Sequence, residues 1–425
     1  MVIALRHQGG QVIQTFYCSP MPPEHPRFEF WLILTVGLVQ FINICDFMMV
    51  MPLGPDFAMD LGIPTHQIGL IGGIYTFAAA ITGFAGALFL DNFCRKRVLL
   101  VTLLGLLFAT ALAALAWNKE SLLAARILAG VFGGPLTSSA LALIADCIPP
   151  ERRGAAIGKV MGAFAAASVI GVPFGLQLAH WYSWKTPFLT LSAVGLIVLY
   201  IAWRKLPSGL RPIPQTVRQR ASAMRRCLSN PVALTALGMM ACAMMAGFMI
   251  VPNIAAHLQM NLGFPREQMG LCYFLGGSIS LFGMRLVGRW VDRYSATIVS
   301  LGTTLILSGV LLAGFIFFPS PIPVIILFAL FMLAMSGRNV AAQSLASRVP
   351  APHERAGYMS VQSSVTHLAM ALGSGFSSLV LHEQGGALIG VPWLGSISLG
   401  LSLLVPAMFW YVERGLRRRI NALTT

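Results

Sequence analysis

Apolar stretches of about 20 residues, separated by short polar or charged breaks, follow one another along almost the whole chain. Each is long enough to cross a hydrocarbon core of roughly 30 Å as a helix. Twelve are counted, over about 30–52, 67–90, 98–117, 120–147, 155–179, 186–204, 231–258, 267–288, 296–318, 321–346, 357–381 and 390–412. The pattern predicts an all-α membrane protein of twelve transmembrane helices. The even count places both termini on one side.

Composition agrees: 56% of residues are hydrophobic, 10% are charged, and mean hydropathy is +0.76. A soluble domain needs far more polar surface. With the first 27 residues in the cytoplasm and alternation thereafter, 23 of the 29 Lys and Arg fall on the cytoplasmic side. Only Lys119, Lys185 and Arg266 fall opposite, while Arg126, Arg285 and Arg338 lie within spans. That bias predicts cytoplasmic termini in a plasma (inner) membrane. It also accounts for the net charge of +15 without nucleic acid; the basic residues are topology signals that can also meet anionic lipid. Residues 1–27 read as a tail and not as a signal peptide. The seven cysteines lie in spans or on the cytoplasmic side, so a disulfide framework is not expected.

The longest polar segment, Arg204 to Asn230, carries seven basic and no acidic residues. It divides the chain into a tail (1–27), a six-helix bundle (28–204), a basic linker (205–230), a second bundle (231–413) and a tail (414–425). An internal echo supports a duplicated unit. "LFLDNFCRKR" follows span two and "GRWVDRYS" follows span eight; "PPERRG" follows span four and "PAPHERAG" span ten. Duplicated bundles with a site between the halves are a recurrent transporter design.

Asp46 and Arg126 are charges inside apolar stretches, where a charge is expensive and normally has a partner or a task. Asp46 is about 22 Å along span one, leaving roughly 8 Å to the outer face; Arg126 is about 9 Å from the same face along span four. The depths agree. An Asp opposite an Arg stays ionised, and one that loses that partner in a dry cavity takes up a proton. The pair is therefore a candidate proton switch, against a static ion pair that fixes packing. Gln40, Asn43 and Asp46, at i, i+3 and i+6, make one polar stripe. It is expected to face a central cavity, against a stripe that only bonds neighbouring helices. His367, beside Ser363, Ser364 and Thr366, lies near the midplane of span eleven as a substrate or proton group, or as a helix-bonded histidine. Arg338 is a candidate anion anchor or inner lock.

Asp91 and Arg95 after span two, and Asp292 and Arg293 after span eight, are candidate gating residues on short loops. Span five carries Gly154, Gly158, Gly162, Gly171 and Gly175, a spacing that lets backbones approach closely, with Pro173 adding a bend. Methionines cluster in span seven. Met245 and Met249 are candidate linings of an apolar cavity. Met240, Met244, His257 and Met260 are a weaker candidate path for a soft metal ion such as Cu(I); otherwise no metal site and no cofactor is expected. There is no HExxH, GxSxG or Walker loop, so an enzyme is not expected and energy must come from a gradient.

The chain resembles the major facilitator superfamily over about residues 28–415. Gly288 through Arg293 matches the start of its loop motif, and Asp91, Arg95, Lys96 and Arg97 match in the first half, where Ala87 and Cys94 depart from it. Arg126 with Gly130 resembles the span-four arginine motif. Gly171, Pro173 and Gly175 resemble the span-five signature of drug and sugar-efflux antiporters, and Asp46 followed by Pro52 and Pro55 resembles that branch's first span. The resemblance implies proton-coupled export of a small organic molecule by alternating access. The residues leave open an importer or uniporter of the same fold, a copper carrier and a non-transporting receptor. The expected partners are a small-molecule substrate, protons and the bilayer, and a monomer suffices.

Overall fold

The computed structural model describes residues 2–8, 11–17, 26–89, 93–207, 229–319, 321–350 and 355–424. Val2–Gln8 and Gln11–Tyr17 pair as an antiparallel hairpin within the expected tail. Twelve long helices follow. In the first half they are α1 (Pro26–Met49), α2 (Ile68–Phe89), α3 (Arg95–Ala114), α4 (Lys119–Cys147), α5 (Pro150–Ala166, continuing to Trp181) and α6 (Lys185–Lys205). In the second half they are α7 (Pro231–Ile250), α8 (Met269–Arg293), α9 (Ala296–Leu311), α10 (Val324–Ala346), α11 (Arg355–Val380) and α12 (Val391–Thr424).

Helices are required here because a lipid-facing backbone must bond to itself. Their ends follow local chemistry. Asn118 and Ser121 form a reciprocal capping box that starts α4. Asn230 caps α7 ahead of Pro231, and Ser295 caps α9. Gly62, at φ 64°, ends the short helix Gly54–Leu61 in the left-handed conformation open to glycine.

Eleven helices among the described residues are apolar and long enough to cross a membrane. The twelfth, α11, is not apolar enough because it carries a string of Ser, Thr and His. Its packing explains the tolerance: it runs between α2 and α7, so its hydroxyls meet protein. Beyond 413, where the tail was expected, α12 continues as helix to Thr424.

Two seams join the halves. Along the first, Gly69 and Gly73 of α2 sit against Ala371, Ser374 and Ser377 of α11. Small residues allow this approach, as expected where packing and not hydrophobicity drives helix association. Along the second, α8 packs chiefly on the outer part of α5, where Gly277 meets Ser168. Near the termini side α5 and α8 part. Pro173 lacks the N–H that a regular helix needs, and α5 responds with a five-residue π turn at Ala167–Gly171 just before it.

Candidate functional site

The polar stripe of α1 turns into the first bundle and not into a central cavity. Gln40, Asn43 and Asp46 are all buried. Asp46 meets Arg126 of α4, whose Nη1 donates to both carboxylate oxygens at 3.1 and 3.0 Å. Both side chains are essentially without exposure, at 0% and 1%. Thr110 of α3 donates a further bond to Asp46 Oδ1 at 2.7 Å. The carboxylate on α1 is thus held by two neighbouring helices, α3 and α4. The guanidinium is only partly answered, since its Nε and Nη2 have no hydrogen-bond partner.

Tyr75 of α2 lies under that guanidinium, 4.7 Å from ring centroid to Cζ. Its hydroxyl donates to Asn43 Oδ1 at 3.1 Å, and Asn43 Nδ2 donates to Thr137 of α4 at 2.8 Å. Asn43 therefore ties α1 to its neighbours. Gln40 is buried with its Oε1 unpartnered. For Asn43 the helix-bonding reading replaces the substrate-facing one, whereas Gln40 is buried without such a bond. Gly133 makes room for the Tyr75 hydroxyl, and Gly130 for the Tyr75 backbone. The ring of Tyr75 packs on Phe47 at 5.2 Å, and Phe47 stacks on Phe248 of α7 at 5.9 Å. A continuous run of contacts therefore leads from the buried ion pair across the boundary between the halves.

Met244, Met245, Ala369 and Met370 surround the Phe47–Phe248 contact. Met245 thus lies at the boundary, whereas Met249 is buried where α7 crosses Gly373 of α11. Arg338 is a correction. It is buried in the second bundle, with Nη1 bonded to Ser402 of α12 at 3.0 Å and Nη2 to the Ala243 carbonyl of α7 at 2.8 Å. Its donors are used to clamp α7, α10 and α12, which leaves no free face for a substrate anion. His367 Nδ1 lies 2.9 Å from the Ser363 carbonyl. A carbonyl only accepts, so Nδ1 carries a proton and donates to it, which is the helix-bonded arrangement. The metal path is also corrected. His257 is buried, its Nε2 bonded to the Gly314 carbonyl at 2.8 Å and its ring flanked by Phe315 and Phe318. Met240 and Met244 belong to separate apolar clusters. Among the described residues no group of three His, Cys, Asp or Glu could hold a metal ion.

Of the expected gating residues, Asp91 lies outside the described residues, as does the side chain of Asp292. Arg95 pairs with Asp146 of its own half at 3.0 Å, and Arg293 lies over Tyr294. Two contacts that bridge the halves through charge lie at the opposite end. Arg266, in the short 3-10 turn Arg266–Gln268 just before α8, bonds Asp56 at 2.5 Å, and its Nη1 lies 3.3 Å from His180. Glu383, in the β-hairpin between α11 and α12, accepts from the amide of Thr65 at 3.1 Å and from its hydroxyl. Those bonds hold the Glu383 carboxyl below its ordinary range, the hydroxyl contributing most. Sequence reasoning missed these latches. The one available signal was a scarce cation, Arg266, on the side almost without basic residues.

Span five's glycines divide in two. A Cβ on Gly171 would lie 2.3 Å from Cys45 Sγ, and one on Gly175 would lie 2.4 Å from Met49 Sδ, so these two do permit close packing against α1. Gly158 and Gly162 face open space. Beside Gly162, α1 and α5 border a cleft of about 530 Å³ on the termini side.

The sequence model of the Major Facilitator Superfamily matches residues 36–304 and again 236–424. The chain belongs to that superfamily. It is a transporter of that fold, and the family is not enzymatic. The chain is 22% identical over 385 residues to the uncharacterized MFS-type transporter YbcL of Bacillus subtilis (strain 168), covering 89% of this chain and 96% of the relative. It is 22% identical over 387 residues to a probable sugar efflux transporter of Helicobacter pylori (strain J99), covering 91% and 95%. Among solved structures, a bacterial homolog of the human lysosomal transporter Spinster, inward-facing and occupied, superposes with a TM-score of 0.74 at 16% identity. That match covers 92% of this chain and 98% of the other.

Proposed function

We propose that this transporter is a proton-coupled exporter of a small organic molecule, with Asp46 as the proton-accepting group. The reading rests on one observation: a carboxylate with no exposure, held by an arginine that keeps two unpartnered nitrogens, and linked by ring contacts to the other half. Protonation turns the carboxylate into a neutral acid and removes most of its attraction for Arg126. The guanidinium then turns its spare donors elsewhere, and Tyr75 and Phe47, which pack in series behind it, shift against Phe248. Coupling of this kind needs an element with two arrangements, both biased by the proton. The boundary between α1 and α7 supplies it.

In this proposal the protein works as a monomer in the plasma membrane with both termini in the cytoplasm. The far-side latches close the outer entrance, and the cleft on the termini side faces the cytoplasm. The export direction draws support from the relative named as a sugar efflux transporter. The test is transport in vesicles under an imposed pH gradient. Wild type moves substrate against its gradient, whereas Asp46→Asn exchanges it only downhill. Uphill movement by Asp46→Asn removes the coupling assignment.

A further inference from the structure

The cleft beside α5 has features that helix packing does not require. Its α1 wall is Phe30, Ile33, Leu34, Gly37, Leu38 and Phe41, and Gly162, Ala163 and Ala166 stand opposite. A Cβ on Gly37 or Gly162 would meet nothing within 4 Å, unlike one on Gly171 or Gly175 higher on the same helix. Glycine at these two positions widens the cleft. Its volume, about 530 Å³, falls in the range of small-molecule sites, roughly 300–1,000 Å³.

Its charge is unbalanced. Glu29 at the rim is answered by Arg152, whose Nη1 donates to Oε2 at 3.1 Å and whose Nη2 lies 3.0 Å from Oε1. Lys159 also lines the cleft and is exposed, with no hydrogen bond or ion pair among the described residues. It stands three residues into the apolar span that begins at Ala156, roughly 5 Å along the helix, so its ammonium sits at the mouth of the cleft. There it is stabilised by water or by an anion that shares the cleft.

We propose that this cleft binds a mono-anionic amphipath, its apolar body lying between Gly37 and Gly162 and its acidic group on Lys159. This rests on the transporter reading and deepens it to a substrate class. Binding can be measured without flux or a proton gradient, however, so the two fail separately.

The probes are anilinonaphthalene sulfonate and phenylnaphthylamine, which has the same ring system without the sulfonate. Fluorescence is titrated on full-length protein in zwitterionic nanodiscs, with empty nanodiscs subtracted. Lys159→Gln is expected to weaken the sulfonate about tenfold and to leave the neutral probe within about twofold. Gly162→Trp, which fills the cleft, is expected to weaken both about tenfold or more. Gly37→Leu repeats that block from the opposite wall, should the tryptophan variant not fold. Nanodiscs containing phosphatidylglycerol separate the sources of the ligand. Displacement of the sulfonate there assigns the cleft to an anionic lipid, and retained binding assigns it to a soluble organic acid. Unchanged sulfonate affinity in Lys159→Gln, or wild-type binding of both probes in the two filling variants, overturns the proposal.

Discussion

Removing the Arg266–Asp56 latch is expected to open the far side without harming the fold. The two side chains are 34% and 15% exposed, and the bond between them is short. That environment lies between fully exposed ion pairs, worth about 0.2–1 kcal/mol, and buried ones, whose disruption costs about 3–5 kcal/mol. A value of about 1.4 kcal/mol is reasonable, which shifts an open–closed equilibrium about tenfold. Ser374, buried where α11 meets Gly69 and Gly73, reports on that seam. In a cysteine-free background, Ser374→Cys is labelled from the far side with a membrane-impermeant maleimide. Arg266→Gln is expected to raise the rate about tenfold, and adding Glu383→Gln to raise it further. Unchanged labelling in the double variant would show that apolar and small-residue packing alone holds this side shut, and the latch argument would be lost.

Three further outcomes are expected. Asp46→Asn or Arg126→Gln alone strands a buried polar partner and costs about 3–5 kcal/mol, while the double substitution recovers part of it; a cycle of denaturation midpoints in detergent checks this, and additive effects refute the pairing. The Glu383 carboxyl is held low in the latched state by the Thr65 hydroxyl and amide. Its contribution is therefore complete above the ordinary glutamate value and is lost as pH falls through the lowered one. At matched pH, which cancels the loss of thiolate, Ser374→Cys labelling with Glu383 intact should rise over that acid window towards the rate in Glu383→Gln. Finally, Gly171→Leu forces a side chain onto Cys45 and Phe41 and is expected to cost about 1–3 kcal/mol by overpacking, whereas Gly158→Leu points into open space and should leave the thermal midpoint unchanged.

Span count and the Asp46–Arg126 contact were legible because they depend on length, hydropathy and depth, which are linear properties of the chain. What surrounds the pair was not. Thr110 and Tyr75 carry no distinctive spacing, and they join the site only because α2 and α3 pack beside α1. The polar stripe of α1 shows the same limit: i, i+3, i+6 places three residues on one face, and helix packing decides what that face meets. Gly158 and Gly162 share their spacing with glycine packing motifs yet border open space, because a side chain on either would point away from every neighbouring helix. The far-side latches join positions more than 200 residues apart, Asp56 with Arg266 and Thr65 with Glu383, through a pairing of halves that no local pattern encodes.

The most direct measurement of the central claim is proton release from purified protein in weak buffer as candidate substrates are added, for wild type and Asp46→Asn side by side. The account predicts release on binding to wild type and binding without release in Asp46→Asn. Equal release from both proteins would place the coupling proton on another group and contradict the assignment of Asp46.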